Sequence, residues 1–232
     1  MNSKLSEKLR ILLPSSGSLA EGSISFMAEK GINIEKESDR KLFGKIKDFP
    51  EIEIFFQRSG DIPLSVDRGM GHFGITGLDR YLEHCEGSQN SYVIKDNLKF
   101  GDSKLVVAVP DGWIDVTSIS DLVEICYEFK QNNNNLRLAT KYPNLVRRKL
   151  DEFGITNVVL VTASGGLEAA PMIGYADIIA DITVTGNTMK ENNLRPLLDG
   201  VLFESQAAFI SSKFIPDKLK KSSNAIIEKI NL

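Results

Sequence analysis

The stretch Ala176-Asp177-Ile178-Ile179-Ala180-Asp181-Ile182-Thr183-Val184 runs straight into Thr185-Gly186-Asn187-Thr188. Asp177 to Val184 reads as a core strand that nevertheless carries acidic residues, and the turn after it opens a helix. A glycine in a strand-to-helix turn lets several backbone N–H groups converge on one point, backed by the helix dipole. The hydroxyls of Thr185 and Thr188 add donors, so residues 185–188 suit a phosphate monoester. Asp181, four positions ahead of the turn, is placed to accept hydrogen bonds from ribose hydroxyls. The plain alternative is a capped helix start with a glycine in its turn, because Thr-Gly turns are common.

Outward from this segment, short β-rich runs alternate with helical stretches, the pattern of an α/β fold. Strands are predicted at Leu9 to Leu13, Glu51 to Gln57, Phe73 to Gly77, Lys104 to Pro110, Leu136 to Thr140, Asn157 to Thr162 and Ala207 to Ser211. Two of them, Lys104 to Pro110 and Asn157 to Thr162, are apolar enough to be buried on both faces. Helices are predicted at Leu19 to Lys30, Leu78 to His84, Thr117 to Phe129 and Asn144 to Phe153, with Gly31 stopping the first of these. A short helix after Asp61-Ile62-Pro63 has Asp61 as its expected cap and Pro63 in its first turn. Ser164-Gly165-Gly166 is expected to open a helix through Ile173, and Pro216 to Ile230 reads as an amphipathic, lysine-rich terminal helix.

Composition narrows the function classes. The chain has 232 residues, 42% of them hydrophobic and 25% charged, which is ample for a packed core without disulfide or metal staples. Twenty-eight Lys and Arg stand against 31 Asp and Glu, a net charge of −3, so a general binder of nucleic acid or anionic membrane is not expected. Cys85 and Cys126, with only two histidines in the chain, give neither a zinc set nor a disulfide scaffold and read as reduced thiols. His72 and His84 read as structural or surface histidines. No run of 18 apolar residues and no signal-like segment is present, so a soluble cytoplasmic protein is expected.

Ligands of α/β proteins collect at the C-terminal ends of strands, and four segments there carry suitable chemistry. Besides Asp181 with residues 185–188, these are Gly165-Gly166 followed by Glu168, Lys141 after Leu136 to Thr140, and Arg58 after Glu51 to Gln57. Paired glycines permit close backbone approach to a ligand, Glu168 could bind a hydroxyl or a metal-bound water, and Lys141 and Arg58 could meet phosphates or be ordinary surface cations.

Taken in order from about Arg10 to Ser212, these segments resemble the ATP phosphoribosyltransferase family. The resemblance rests on Leu13-Pro14-Ser15 with Gly17, Asp39-Arg40-Lys41-Leu42, Arg58 with Asp61-Ile62-Pro63, Gly74-Ile75-Thr76-Gly77-Leu78-Asp79 and Ala139-Thr140-Lys141-Tyr142. It continues through Glu168-Ala169-Ala170-Pro171, Ala176-Asp177 and Asp181 to Thr185-Gly186-Asn187-Thr188. It implies a two-lobed α/β fold similar to type II periplasmic binding proteins, with the active site in the inter-lobe cleft. Lobe I would be residues 1–106 plus 204–232, and lobe II residues 107–203. With 18 residues after Phe214, the chain resembles the short form, which assembles with a regulatory subunit similar to histidyl-tRNA synthetase, and a homodimer is expected as well.

The reaction so implied joins ATP to 5-phosphoribosyl 1-pyrophosphate. Thr185, Gly186, Asn187 and Thr188 would hold the 5-phosphate and Asp181 the ribose hydroxyls. Arg40 would stabilise departing pyrophosphate, with Arg58 and Lys141 as further catalytic cations. Glu168, Gly165, Gly166, Gly17 and Ser15 would complete the substrate site. Mg²⁺ is expected mainly through substrate phosphates, without a dedicated protein metal site. One departure stands out: the family's first turn usually reads Pro-Ser-Lys-Gly-Arg, and here it is Pro14-Ser15-Ser16-Gly17-Ser18. Each lost charge-assisted contact would cost roughly 1.5–3 kcal/mol. Arg68, Arg80 and Arg147 are candidate replacements. A non-catalytic nucleotide- or phosphosugar-binding protein on the same fold is the alternative that the two serines favour.

Overall fold

The computed structural model describes residues 8–36, 42–163 and 165–231. The chain divides into two compact units, one running to Gly101 and resuming at Gln206, the other spanning Asp102–Ser205. The first unit opens with β1 (Leu9–Pro14), α1 (Ser18–Glu29), β2 (Ile34–Glu35), β3 (Phe43–Ile46) and β4 (Ile52–Gln57). It continues with α2 (Ile62–Asp67), β5 (Phe73–Gly77), α3 (Leu78–Cys85) and β6 (Ser91–Lys95). The second unit holds β7 (Ser103–Pro110), α4 (Ile119–Gln131), β8 (Leu136–Thr140), α5 (Pro143–Glu152), β9 (Val158–Thr162), β10 (Ile178–Thr183), α6 (Asn187–Glu191) and β11 (Leu194–Ser205). The chain then returns to the first unit as β12 (Ala207–Ser212) and α7 (Lys220–Asn231).

Among the described residues the first unit forms a seven-stranded sheet in the order β2-β3-β4-β1-β5-β12-β6. β1 runs parallel to both β4 and β5, while β12 closes antiparallel on β5. Alternate side chains of a strand face opposite ways, so Leu9, Ile11 and Leu13 pack with Phe26 and Met27 of α1 and Ile226 and Ile230 of α7. Leu12 faces the other way, toward Ile62 and Val66 of α2 and Tyr81 and Cys85 of α3. The sheet is therefore covered on both faces, which is why its central strands are mostly apolar on both sides.

The second unit's sheet has the order β11-β7-β10-β8-β9. β10, β8 and β9 are parallel, β7 pairs antiparallel with β10, and β11 pairs antiparallel with β7 at the sheet's edge. Ile178, Ile179 and Ala180 are fully buried at its centre. α4 starts with a reciprocal cap: the Ser118 hydroxyl accepts from the Asp121 N–H, and the Asp121 carboxylate accepts from the Ser118 N–H at 2.8 Å. Those bonds, with two more from Thr117, hold the Asp121 carboxyl down at about 2.

Several expectations are corrected. Asp61 makes no side-chain capping bond, because its own backbone is already helical and an N-cap needs an extended one. The strand at 157–162 is an edge strand with only Val158 buried, since β9 has a neighbour on one side only. The helix expected through Ile173 is a single 3-10 turn at Leu167–Ala169, because Gly166 turns left-handed (φ +61°) before it and Pro171 blocks continuation. β11 was not expected at all: it carries Pro196, Asp199 and Gly200, and its pairing with β7 is broken there by a bulge. Both cysteines are free and buried, and burial pushes each thiol up to about 11, so neither is a reactive thiolate.

Two stability predictions follow from this packing. Nδ1 of buried His72 accepts the Arg10 N–H at 2.9 Å, and burial together with the Arg10 charge lowers its pKa. The unfolded chain therefore takes up the proton first, so the stability held above about pH 6.5 falls as pH drops through that value. Denaturation midpoints across pH 5–8 should show this loss, and His72→Gln should flatten it. In α1, Gly22→Ala should gain about 1 kcal/mol of helix propensity. Its new Cβ would, however, run into the Phe100 ring. Overpacking of about 1–3 kcal/mol outweighs the gain, so thermal unfolding should show a net loss.

Candidate functional site

The three parallel strands of the second unit deliver their C-terminal ends to one edge of the sheet. The register pairs Ala180 of β10 with Thr140 of β8, so Asp181 and Lys141 follow side by side. The Lys141 Nζ lies 3.4 Å from Asp181 Oδ2, and Asp181 is only 7% exposed. Burial pushes the Asp181 carboxyl above its ordinary value; the Lys141 charge and the Ile182 N–H, which donates to Oδ1 at 2.8 Å, pull it back, and the Glu168 charge raises it again. Asp181, Lys141 and Glu168 are thus one electrostatic group. Thr140 shapes the turn that aims the lysine, its hydroxyl accepting the Tyr142 N–H at 3.0 Å.

After β10 the chain forms a tight loop. The Thr183 hydroxyl accepts the Gly186 N–H at 2.7 Å, and the Thr185 hydroxyl accepts the Asn187 N–H at 3.4 Å. Gly186 has φ +78°, a conformation that a side chain would strain. Thr185, Asn187 and Thr188 are exposed, while Met189 anchors the segment in the core. The helix dipole expected behind this turn is small, because α6 has only five residues. The donors of the loop are therefore local N–H and hydroxyl groups. Thr183, which sequence reading passed over, ties the loop to the strand; its signal was a hydroxyl three residues before a turn glycine.

Gly165 and Gly166, with Thr162, Ala163, Leu167 and Tyr175, line a cavity of about 360 Å³ beyond the end of β9. Asp177, the other acid of the β10 segment, is a structural group. Its carboxylate accepts from the backbone and side chain of Arg137, whose Nη2 lies 2.7 Å from Oδ1 and whose Nη1 donates to the Gly174 carbonyl. Arg195, also missed, donates to the carbonyls of Trp113 (2.6 Å) and Val116 (2.9 Å) and pins that segment.

In the first unit the parallel strands β4, β1 and β5 also end together. The Ser15 N–H donates to the Gln57 carbonyl at 2.8 Å, which sets the start of the Ser15–Ser18 turn beside Arg58. Gly17 takes φ +76° to turn the chain into α1. Arg58 is exposed, and Thr76 Oγ1 donates to the Ser59 carbonyl at 2.8 Å, fixing the turn that follows it. Arg40 lies outside the described residues. The second unit thus groups Lys141 and Glu168 around Asp181, with residues 185–188 on the loop that follows β10 and Gly165 and Gly166 lining their own cavity, and the first sets the Ser15–Gly17 turn beside the end of β4 that leads to Arg58.

Lys141→Met should move the Asp181 titration to still higher pH by removing the charge that favours the carboxylate, and Glu168→Gln should move it down. Carboxyl ¹³C shifts followed against pH would read both directions.

Comparison with known proteins adds independent findings. The family profile described as HisG, ATP phosphoribosyltransferase, matches residues 58–232. The chain is 36% identical over 211 residues to an ATP phosphoribosyltransferase of Bradyrhizobium sp. (strain ORS 278), covering 90% of this chain and 65% of that protein. It is 34% identical over 230 residues to one of Rhodopseudomonas palustris (strain BisA53), covering 97% and 71%. It therefore spans about two thirds of the length of these curated relatives. Among solved structures, the ATP phosphoribosyl transferase (HisG:HisZ) complex from Thermotoga maritima aligns with TM-score 0.66 and 26% identity over 96% of both chains. The alkanesulfonate-binding protein SsuA from Xanthomonas axonopodis pv. citri aligns with TM-score 0.54 and 15% identity over 97% of this chain and 72% of that one, a likeness of fold alone. The fold is accordingly α/β of the type II periplasmic-binding-protein kind.

Proposed function

Because this chain belongs to the ATP phosphoribosyltransferase family, we propose that it condenses ATP with 5-phosphoribosyl 1-pyrophosphate to N1-(5-phosphoribosyl)-ATP and pyrophosphate, the first step of L-histidine biosynthesis. The observation that carries this reading is the adjacency of a buried carboxylate, a lysine and a hydroxyl-lined glycine loop at one sheet edge, with Asp181 3.4 Å from Lys141. A phosphoribosyl group presents a phosphate at one end and vicinal hydroxyls beside the reacting carbon, which is the order of donors and acceptors that residues 181–188 offer.

In this reaction adenine N1 forms a bond to C1 of the ribose as the C1–oxygen bond to pyrophosphate breaks, with inversion and oxocarbenium-like charge at C1. No covalent nucleophile is needed, so the protein acts by positioning two polyanions and stabilising the leaving group. Thr185, Gly186, Asn187 and Thr188 would take the 5-phosphate, and Asp181 the ribose hydroxyls, its negative charge also favouring positive charge at C1. Lys141, Arg58 and Arg40 would meet phosphates, and Gly165 and Gly166 would allow close approach. Ser15 and Gly17 would serve the first unit's share of the site. The like charges of Asp181 and Glu168, mutually unfavourable in the free chain, suit a Mg²⁺ ion, which typically binds one or two carboxylates plus substrate phosphates. When bound, Mg²⁺ would lower the charge on the leaving pyrophosphate.

The same reading includes a cytoplasmic location, a homodimer and assembly with a regulatory subunit similar to histidyl-tRNA synthetase. Support for a subunit comes from the Thermotoga maritima protein, which was solved as a HisG:HisZ complex and of which this chain covers 96%. The second reading, a nucleotide- or phosphosugar-binding protein without turnover, is favoured by Ser16 and Ser18, which leave the first turn without a cation.

Adenine absorbance, followed with ATP, phosphoribosyl pyrophosphate, Mg²⁺ and pyrophosphatase, separates the two. Turnover is expected, and Asp181→Asn should lower kcat/KM for phosphoribosyl pyrophosphate about 10- to 100-fold, the scale of one charge-assisted contact. Binding of phosphoribosyl pyrophosphate with no turnover, alone or with a partner subunit, would establish the second reading instead.

A further inference from the structure

The Ser15–Ser18 turn offers hydroxyls and N–H groups but no cation, although it lies at the strand ends where the first unit would face a polyanion. Of the arginines that could replace one, Arg147 is already used: its Nη2 donates to the Val158 carbonyl at 2.9 Å and ties α5 to β9. Arg68 caps the C-terminus of α2, and its charge acts on the buried Cys85 thiol of the α2–α3 layer.

Arg80 differs from both. It sits in the first turn of α3, three residues beyond the end of β5, and so leaves the sheet at the same edge as Arg58. Its guanidinium lies over the turn after β4, where a Cβ on Gly60 would come within 3.1 Å of Nη1. That turn is held by the Thr76 hydroxyl on the Ser59 carbonyl and by the Asp61 N–H on the Arg58 carbonyl (2.9 Å). Arg80 is partly buried and has no hydrogen bond, ion pair or ring contact among the described residues. A guanidinium carries five donors in a rigid fork matched to phosphate oxygens. Withdrawing it partly from water without pairing any donor is unfavourable, and an anion seated between Arg58 and Arg80 would relieve that.

Resting on the transferase reading, we infer that Arg80 is a phosphate-binding residue: with Arg58 it holds the pyrophosphate group of the substrate where Ser16 and Ser18 supply no charge. Gly60, lacking a Cβ, leaves room for the Arg80 guanidinium over that turn.

Calorimetric titration of the chain with inorganic pyrophosphate, beside steady-state turnover, tests this. Arg80→Gln should weaken pyrophosphate binding and raise KM for phosphoribosyl pyrophosphate about tenfold or more, with an unchanged melting temperature, as expected for loss of a charge-assisted fork. Arg80→Lys, which keeps the charge but loses the fork, should fall between, and adding Ser16→Lys to Arg80→Gln should restore part of the affinity. A merely structural role would lower the melting temperature and would not be rescued by a cation at residue 16. An active parent chain whose Arg80→Gln variant matches it in both pyrophosphate affinity and KM overturns the assignment alone. A parent chain that neither turns over nor binds pyrophosphate overturns the transferase reading and this assignment together.

Discussion

One buried carboxylate sets the terms for the second unit. Asp181 lies within β10, after Ile178, Ile179 and Ala180, which are completely enclosed, and it is itself 7% exposed. An ionised group in such a position carries an effective desolvation penalty of several kcal/mol. Its cation partner is 3.4 Å away and the Lys141 side chain is 38% exposed, so water screens the pair and its net worth is small. The pair does not explain the acid on grounds of stability. A residue that raises the free energy of the fold at the end of a central strand, beside a loop rich in donors, fits a group kept for what it binds. Asp177 makes the contrast: its carboxylate accepts three hydrogen bonds, all from Arg137, and that acid serves the fold.

Both units use the same device. Parallel strands end together, and the turns that leave them place N–H groups, hydroxyls and cations on one edge. In the second unit the parallel set is β10, β8 and β9; in the first it is β4, β1 and β5. Glycine appears where the turn demands it: Gly17 at φ +76° before α1 and Gly186 at φ +78° before α6. Neither has an atom within 4 Å of a would-be Cβ, so it is the backbone conformation, not crowding, that calls for glycine there.

The apolar runs made most of the sheet legible, because β1, β4, β5, β7, β8, β10 and β12 announce themselves by enclosed Ile, Leu, Val and Phe. What escaped lies at sheet margins or carries residues that usually signal turns. β2 and β3 are short and contain Gly44 and Lys45; β6 follows a Gly87-Ser88-Gln89-Asn90 turn; β11 tolerates Pro196 and Gly200 through its bulge. Of the site, the grouping of Lys141, Glu168 and Asp181 was legible because each follows or flanks a predicted strand. The arginine clamps at Arg137 and Arg195 were not, because their partners lie 40 and about 80 residues away and only the fold brings them close; the loop anchor Thr183 was passed over although its partner is three residues on, because a hydroxyl before a turn glycine is a weak signal by itself.

The central claim is that residues 181–188 receive a phosphoribosyl group. A crystal structure of the chain with phosphoribosyl pyrophosphate and Mg²⁺ tests it most directly. The account predicts the 5-phosphate on the N–H and hydroxyl groups of Thr185 to Thr188 and the ribose hydroxyls on the Asp181 carboxylate. A sugar phosphate seated elsewhere, with residues 185–188 and Asp181 untouched, would contradict it.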